Sequence, residues 1–234
     1  MRKNMKTIGV IGAMPEEVRL LRARLSDLET TKTAGLEVYT GTLHGKKIAL
    51  CQSGMGKVAA AAAAQVLCSV FKIDAIINSG IAGNMTSKVG IGDVVLSKEV
   101  TYHDAQIDMI SQAYPYMESY KGSEILLEAA QKACAEEDTK AICGKIATGD
   151  LFIGDKVLKQ KIADFCSPDC VEMEGAAIAH VACKNDIPFL IIRAMSDNAD
   201  EAGHELLVVK KFDVAEYCDK AADICERTIK YAQL

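Results

Sequence analysis

Apolar residues along this chain follow two patterns, and the two patterns alternate. Short continuous apolar runs rich in β-branched residues are typical of strands that are covered on both faces. Segments with apolar residues at helical spacing follow most of these runs and predict amphipathic helices. The predicted strands are 7–14, 74–78, 94–102, 141–147 and 189–192, and the predicted helices are 15–25, 58–71, 123–136, 176–183 and 208–234. The alternation predicts an α/β fold in which helices flank a central β-sheet.

A hairpin makes the predicted sheet mixed. Residues 36–43 and 46–50 are two strand-like segments joined by His44-Gly45, a short turn that favours antiparallel pairing. Residues 106–122 follow, with three tyrosines, a proline and no clear period, and they predict a loop.

The stretch 171–200 contains the most informative chemistry. Its apolar run 189–192 is continuous, which predicts a central parallel strand. Arg193 interrupts the run, and Ser196 and Asp197 follow near the carboxyl end of the strand. Open α/β sheets bind their ligands at this end. Asp197 is therefore the first candidate catalytic residue.

Two further carboxylates precede the helix that leads into this strand. Glu172 and Glu174 flank Met173, and in an extended segment their side chains share one face. A junction between strand and helix at Met173 could aim a carboxylate at a ligand, with the small Gly175 allowing close packing. For Glu172 the alternative is that an acidic residue simply stabilises the amino terminus of a helix.

Length and composition favour one ordinary globular domain. The chain has 234 residues, of which 50% are hydrophobic and 25% charged, and its net charge is −5. This mixture predicts a single domain over 1–234 with no linker, and we expect 1–5 to form a flexible leader. The negative net charge and the lack of a long basic run do not favour binding to nucleic acid or to an anionic membrane. The expected partner is therefore a small molecule.

Cysteine usage predicts a reducing, cytoplasmic setting. The nine cysteines are odd in number and lack CxxC or Cys/His ligand spacing, which predicts buried thiols and no metal site. Cys166 and Cys170 look as if they lie in a loop. Residues 15–17 end the first apolar run where a signal peptide would need a cleavage site, and no run is long enough to span a membrane.

Several shorter motifs have two interpretations each. Glu16 and Glu17 lie where a strand gives way to a helix, so they could be catalytic or could only complement the helix dipole. The turn 53–57 could cradle an anion, but it lacks phosphate-loop spacing. The turn 79–84 has glycines that allow a ligand to approach, although a plain tight turn would use them too. The pair at 103–104 has no nucleophile signature nearby to complete a hydrolase dyad.

Six motifs in order along the chain resemble one family, and their combined spacing makes the likeness specific. The motifs are IGAMPEEV, SGMGKVAAA, NSGIAGN, YHDA, VEMEGAAIAHV and RAMSDNAD. Together they resemble the 5′-methylthioadenosine/S-adenosylhomocysteine nucleosidases of the purine nucleoside phosphorylase-like superfamily. The resemblance implies that superfamily's fold, hydrolysis of an N-glycosidic bond with water as nucleophile, no cofactor, and a homodimer in which the 106–122 segment crosses the interface.

The resemblance also implies roles for individual residues. Glu17 matches the general base, and Asp197 would protonate the departing purine at N7. Glu174 would accept hydrogen bonds from the ribose hydroxyls, and Arg193 would hold carboxylates or water in place. Phe152 would stack on the purine, although a core phenylalanine is the commoner use of such a residue. The remaining predicted substrate-binding residues are Met55, Gly83, Ile153, Glu172, Met173 and Ser196.

The chain departs from the family pattern in two places. Beside the attacking water, Ile81 stands where many relatives carry a serine, so a side-chain hydroxyl contact to the water is absent. Around the 5′-substituent, Leu206 and Leu207 stand where a phenylalanine is common, and the 106–122 segment diverges. Methylthioadenosine, S-adenosylhomocysteine, 5′-deoxyadenosine and a futalosine-type nucleoside therefore all remain candidate substrates.

Two rival functions follow from the same residues. A phosphorylase of this fold would need positive charge where Glu17 stands, and a carboxylate there repels phosphate. A binding protein without turnover would have no use for an acid at the leaving group. Both rivals are therefore less favoured than a hydrolase.

Overall fold

The computed structural model describes residues 6–209 and 212–234. The predicted leader 1–5 lies outside the described residues. The strands are β1 (Thr7–Gly12), β2 (Ser26–Thr33), β3 (Leu36–Leu43), β4 (Lys46–Gln52), β5 (Ala75–Asn84), β6 (Val94–Tyr102), β7 (Tyr120–Lys121), β8 (Ala141–Thr148), β9 (Cys170–Glu172) and β10 (Phe189–Asp197). The helices are α1 (Pro15–Arg24), α2 (Lys57–Ser69), α3 (Ile107–Ile110), α4 (Glu124–Glu136), α5 (Lys156–Cys166), α6 (Gly175–Lys184), α7 (Glu201–His204) and α8 (Ala215–Tyr231), with a π-helical turn at Glu205–Val209 between the last two.

The strands form one mixed sheet that closes on itself at one end. Its order is β10-β6-β8-β9-β5-β1-β4-β3-β2, and β5 also pairs with β10, so five strands complete a ring. β10 runs parallel to β5 and antiparallel to β6. The predicted fold class, a single α/β domain with a mixed sheet between helices, is confirmed. The boundaries 1–234 of the domain stay a prediction.

Helices cover both faces of the sheet, which explains the continuous apolar runs. Leu190 and Ile192 of β10 join the core cluster that includes buried residues of α1, α4 and α8. Phe189 and Ile191 join the second cluster, with buried residues of α2 and α6. Because successive side chains of a strand point to opposite faces, a strand buried on both sides needs apolar residues at every position.

Some predicted boundaries were wrong. The last helix begins at Ala215 rather than at 208, because 205–209 form the π-helical turn and Asp213 accepts a hydrogen bond from the Ala215 amide at 2.9 Å. Residues 106–122 are not all loop, since they contain α3 and β7. Tyr120 of β7 is only 1% exposed and packs in the core.

The prediction that Cys166 and Cys170 lie in a loop was also wrong. Cys166 is the last residue of α5, and its thiol donates to the carbonyl of Ile162, whereas Cys170 is buried and begins β9. All nine cysteines are free thiols. Across residues 6–209 and 212–234, no helix has both the length and the apolar character that crossing a membrane requires.

Candidate active site

A cavity of about 340 Å³ opens where β5 and β10 end and where β1 and β9 give way to helices. Of the predicted site residues, ten line this cavity: Glu17, Met55, Gly83, Phe152, Glu172, Met173, Glu174, Arg193, Ser196 and Asp197. The eleventh, Ile153, lines a smaller adjoining cavity of about 40 Å³, which shares Phe152, Met173 and Asp197 with the larger one. Folding thus brings all eleven residues to one place.

Glu17 is held rigidly at the start of α1. Its Oε2 accepts hydrogen bonds from the amides of Ala13 at 2.5 Å and Met14 at 3.1 Å, and its Oε1 accepts one from Ile81 at 3.1 Å. The first two bonds are those of a helix cap, but the third reaches across to β5 and turns the carboxylate toward the cavity. Burial raises the pKa of Glu17, and the charge of Arg193 only partly offsets this.

Arg193 lies at the centre of the acidic residues and is 1% exposed. Its Nη2 donates to Glu172, to the Asn78 side chain, and to Glu174 Oε2 at 3.3 Å, while Nη1 lies 3.9 Å from Glu17 Oε1. Burial works against the charged form, but the carboxylates outweigh it and raise the pKa of Arg193. One guanidinium therefore joins three carboxylates, one from the start of α1 and two from the junction between β9 and α6.

Glu172 also lines the cavity, but its carboxylate is engaged by hydrogen bonds within the protein. Its Oε2 accepts from the amides of Glu174 at 3.0 Å and Gly175 at 2.7 Å, and its Oε1 accepts from the Thr148 hydroxyl. These bonds, with the one from Arg193, occupy both oxygens. The geometry favours the alternative interpretation of Glu172, in which it fixes the start of α6 and so positions Glu174.

The Glu174 carboxylate is less fully engaged than that of Glu172, because each of its oxygens accepts only one hydrogen bond of those described. Its Oε1 accepts from the Gly56 amide at 2.9 Å, and its Oε2 accepts from Arg193. Burial, followed by the neighbouring charge of Glu172, raises the pKa of Glu174 despite Arg193. Each oxygen keeps a lone pair with which to accept a hydroxyl group.

Asp197 is the last residue of β10 and is separate from the arginine cluster. Its Oδ1 accepts from the Ala199 amide at 2.7 Å, and its Oδ2 accepts from the Ser196 hydroxyl at 2.8 Å. Burial raises the pKa of Asp197 above the usual range and outweighs these two bonds. A Cβ atom at Gly83 or Gly203 would come within 3.0 Å of Oδ1, so small residues make room for this carboxyl group.

A lysine of α5 also fixes the backbone next to the Asp197 carboxyl group. Lys159 Nζ donates to the carbonyl of Asn198 at 2.5 Å and to that of Asn84 at 3.2 Å. It thereby ties the residue after Asp197 to the end of β5.

Aromatic and apolar side chains form the other walls. Phe152 is 40% exposed and meets the ring of His204 edge-on, with the centroids 5.8 Å apart, whereas Ile153 is buried. Met55 is 67% exposed at the rim. Seven further residues that line the cavity were not predicted from the sequence: Ala13, Met14, Ala82, Val171, Val208, Phe212 and Val214. They are ordinary apolar residues, and nothing in their type separates them from core residues.

The fold and the arrangement of acidic residues match a known class of enzyme. The sequence profile of the phosphorylase superfamily matches residues 7–230. A solved structure of S-adenosylhomocysteine nucleosidase from Streptococcus pyogenes, in complex with 5-methylthiotubericidin, is 33% identical over 100% of both chains, with a TM-score of 0.91. A 5′-methylthioadenosine/S-adenosylhomocysteine nucleosidase from Colwellia psychrerythraea 34H in complex with adenine is 30% identical over 98% of this chain and 96% of that one, with a TM-score of 0.90.

The chain therefore belongs to the phosphorylase superfamily. Within it, the resemblance to the 5′-methylthioadenosine/S-adenosylhomocysteine nucleosidases is confirmed, and the protein is an N-ribosyl hydrolase. A futalosine hydrolase from Helicobacter pylori is also similar, at 26% identity over 96% of this chain and 97% of that one, with a TM-score of 0.87.

Proposed function

We propose that this protein hydrolyses the N-glycosidic bond of 5′-substituted adenosines, releasing adenine and the 5′-substituted ribose. The substrates we propose are 5′-methylthioadenosine and S-adenosylhomocysteine, with 5′-deoxyadenosine as a further one. Such an activity would serve methionine salvage and the recycling of S-adenosylmethionine by-products. The free cysteines favour a reducing compartment, and we place the activity in the cytoplasm.

The mechanism assigns one carboxyl group to each side of the bond that breaks. Asp197, whose pKa burial raises, carries a proton to N7 as the base departs with the bonding electrons. Positive charge then builds up on the ribose as an oxocarbenium-like species. Glu17 orients a water molecule and takes its proton as the water oxygen bonds to C1′ of the ribose. Glu174 binds the ribose 2′- and 3′-hydroxyls and lends negative charge beside the cationic sugar.

The observation that carries this proposal is the charge of the cavity wall. Among the described residues that line the cavity, Arg193 is the only cation, and its guanidinium already faces Glu172, Glu174 and Glu17. A phosphorylase needs free positive charge to bind phosphate, whereas this wall holds carboxylates in that place. Water is therefore the better nucleophile for this site.

The apolar rim favours a short apolar 5′-substituent. Met14, Leu207, Val208, Phe212 and Val214 line the cavity, and a methylthio group would bury apolar surface against them. We therefore propose methylthioadenosine as the best of the candidate substrates.

Release of adenine from 5′-methylthioadenosine should not depend on phosphate. The purified protein would be incubated with each candidate nucleoside, with and without phosphate, and adenine and the sugar product would be separated by chromatography. We expect the free sugar in both conditions. Formation of the sugar 1-phosphate, only when phosphate is present, would show that the enzyme is a phosphorylase. Binding of the nucleoside with no product in either condition would favour the binding-protein alternative.

We also propose that the active protein is a homodimer. Exposed apolar side chains on the 106–122 segment, Met109, Tyr114, Tyr116 and Met117, would lie open to solvent in a lone chain. Multi-angle light scattering at micromolar concentration should give a mass near twice the 25.1 kDa chain. A fully active species at the mass of one chain would contradict the proposal.

A further inference from the structure

Three segments that carry none of the proposed catalytic residues meet in one ion cluster beside the cavity. They are the turn before α2, the His-Asp pair after β6, and the loop after β8. Lys57 Nζ lies 2.6 Å from Asp104 Oδ1 and 3.5 Å from Asp150 Oδ2. The amide of Lys57 donates to Asp150 Oδ1, and the amide of Asp150 donates to Asp104 Oδ2, each at 2.8 Å. We call Lys57, Asp104 and Asp150 the rim cluster.

The geometry explains the His-Asp pair without a hydrolase dyad. Asp104 is engaged by Lys57 and by the Asp150 amide, which hold the pKa of its carboxyl group below the usual range although burial works in the other direction. The imidazole of His103 packs against Gly149, and its Nε2 finds no hydrogen-bond partner within residues 6–209 and 212–234. The hydrogen bonds of the Asp104 carboxylate therefore come from Lys57 and the Asp150 amide rather than from the His103 imidazole.

The rim cluster also completes the start of α2. Gly56, the residue before this helix, has no side chain with which to cap it, and the first turn contains no acidic residue. The carboxylate of Asp150 binds the free Lys57 amide instead, from a different loop. A Cβ atom on Gly56 would lie 3.0 Å from Asp150 Oδ1, and the φ angle of Gly56 is +93°, so the turn fits glycine only.

Gly56 connects the rim cluster to the cavity. The amide of Gly56 donates to Glu174 Oε1 at 2.9 Å, next to the Lys57 amide that binds Asp150. Asp150 in turn is two residues from Phe152, which lines the cavity. The same ion cluster thus fixes the turn that orients Glu174 and the loop that carries the aromatic wall.

We infer that Lys57, Asp104 and Asp150 are positioning residues that set the orientation of Glu174 through the Gly56 amide, and so determine how tightly the ribose is bound. The inference rests on the proposed function, because Glu174 is the residue proposed to bind the ribose. Without the Lys57 ammonium, Asp104 and Asp150 face each other unneutralised and the turn moves. The Gly56 hydrogen bond to a carboxylate is then weakened, and such bonds are among the stronger ones in proteins.

The test is a double-mutant cycle of Lys57→Met and Glu174→Gln. The ligand is the 7-deaza analogue of 5′-methylthioadenosine, which lacks the N7 atom and so cannot be protonated there, and calorimetry measures its dissociation constant. Lys57→Met should weaken binding ~10-fold in the wild-type background but less than ~2-fold when Glu174 is already glutamine. Lys57→Arg should restore most of the affinity, since it keeps the charge.

Lys145→Met is the matched control. It removes another partly exposed lysine that pairs with a carboxylate, Glu99 at 3.0 Å, outside the cavity, and it should leave binding unchanged. Equal weakening by Lys57→Met in both backgrounds, or a lower melting temperature with unchanged affinity, would overturn the inference. Should Lys57→Met fail to fold, Asp150→Asn replaces it in the cycle, with a smaller effect in the same direction expected. Tight binding of the analogue without hydrolysis of the parent nucleoside would overturn the proposed reaction but not this inference.

Discussion

Glu17→Gln should lower kcat by roughly 10²- to 10⁴-fold, the usual contribution of a general base, while the protein stays folded. Glutamine keeps the shape of the side chain, and its oxygen can still accept from the Ala13 and Met14 amides. It cannot take a proton from water, and its amide group would face the Ile81 amide that now donates to Oε1. The measurement is steady-state hydrolysis of 5′-methylthioadenosine, together with a thermal melt of each variant.

Glu16→Gln is the matched control, because Glu16 is the neighbouring acidic residue of α1, is exposed, and does not line the cavity. It should leave kcat unchanged.

The wild type should also show an acidic limb in the pH profile of kcat/KM. A base works only when ionised, so activity rises as the pH passes upward through the raised pKa of Glu17. A limb at the ordinary glutamate pKa, or near-normal kcat in Glu17→Gln, would remove Glu17 from this role.

The parts of the fold that could be predicted are those that bury a periodic apolar pattern. The strand at 189–192 was evident because alternate residues enter opposite cores. β2 was not predicted, since it lies at the sheet edge and its side chains, apart from Leu28, are polar and almost all exposed. α5 was not predicted either, as Ile162 is its only fully buried residue. Strands and helices that bury few apolar side chains do not need a periodic apolar pattern, so the sequence does not predict them.

The site could be predicted only where chemistry and position coincide. Glu17, Glu174 and Asp197 stand at strand ends or helix starts beside apolar runs, and a carboxylate that is buried there is costly unless it is used or paired. The residues that hold these carboxylates and Arg193 in place cannot be recognised from the sequence in the same way. Asn78, for example, binds Arg193 from the middle of β5. A Cβ atom at Gly80 would overlap both the Glu17 carboxylate and Arg193, a requirement that appears only when distant segments meet.

Asp197→Asn should lower kcat by roughly 10²- to 10⁴-fold and change KM much less. The protonated carboxyl group contacts N7 most strongly as negative charge develops on the departing base, so the interaction is made chiefly in the transition state. Ribose contacts from Glu174 exist already in the ground state, and Glu174→Gln should therefore raise KM as well as lower kcat. Asparagine can still accept the Ala199 hydrogen bond, so the loop should keep its shape.

A change of leaving group separates acid catalysis from simple damage to the site. A nitrophenyl riboside with the same 5′-substituent releases a stable anion that needs no proton, so Asp197→Asn should hydrolyse it nearly as well as the wild type does. Stability gives a second check. Burial raises the pKa of Asp197, so folding loses stability as the pH rises through that folded pKa, and the asparagine variant should melt no lower than the wild type at pH about 8. Equal losses on both substrates, or a near-normal kcat on the nucleoside, would show that Asp197 is not the acid and that the end of β10 is not the leaving-group side of the cavity.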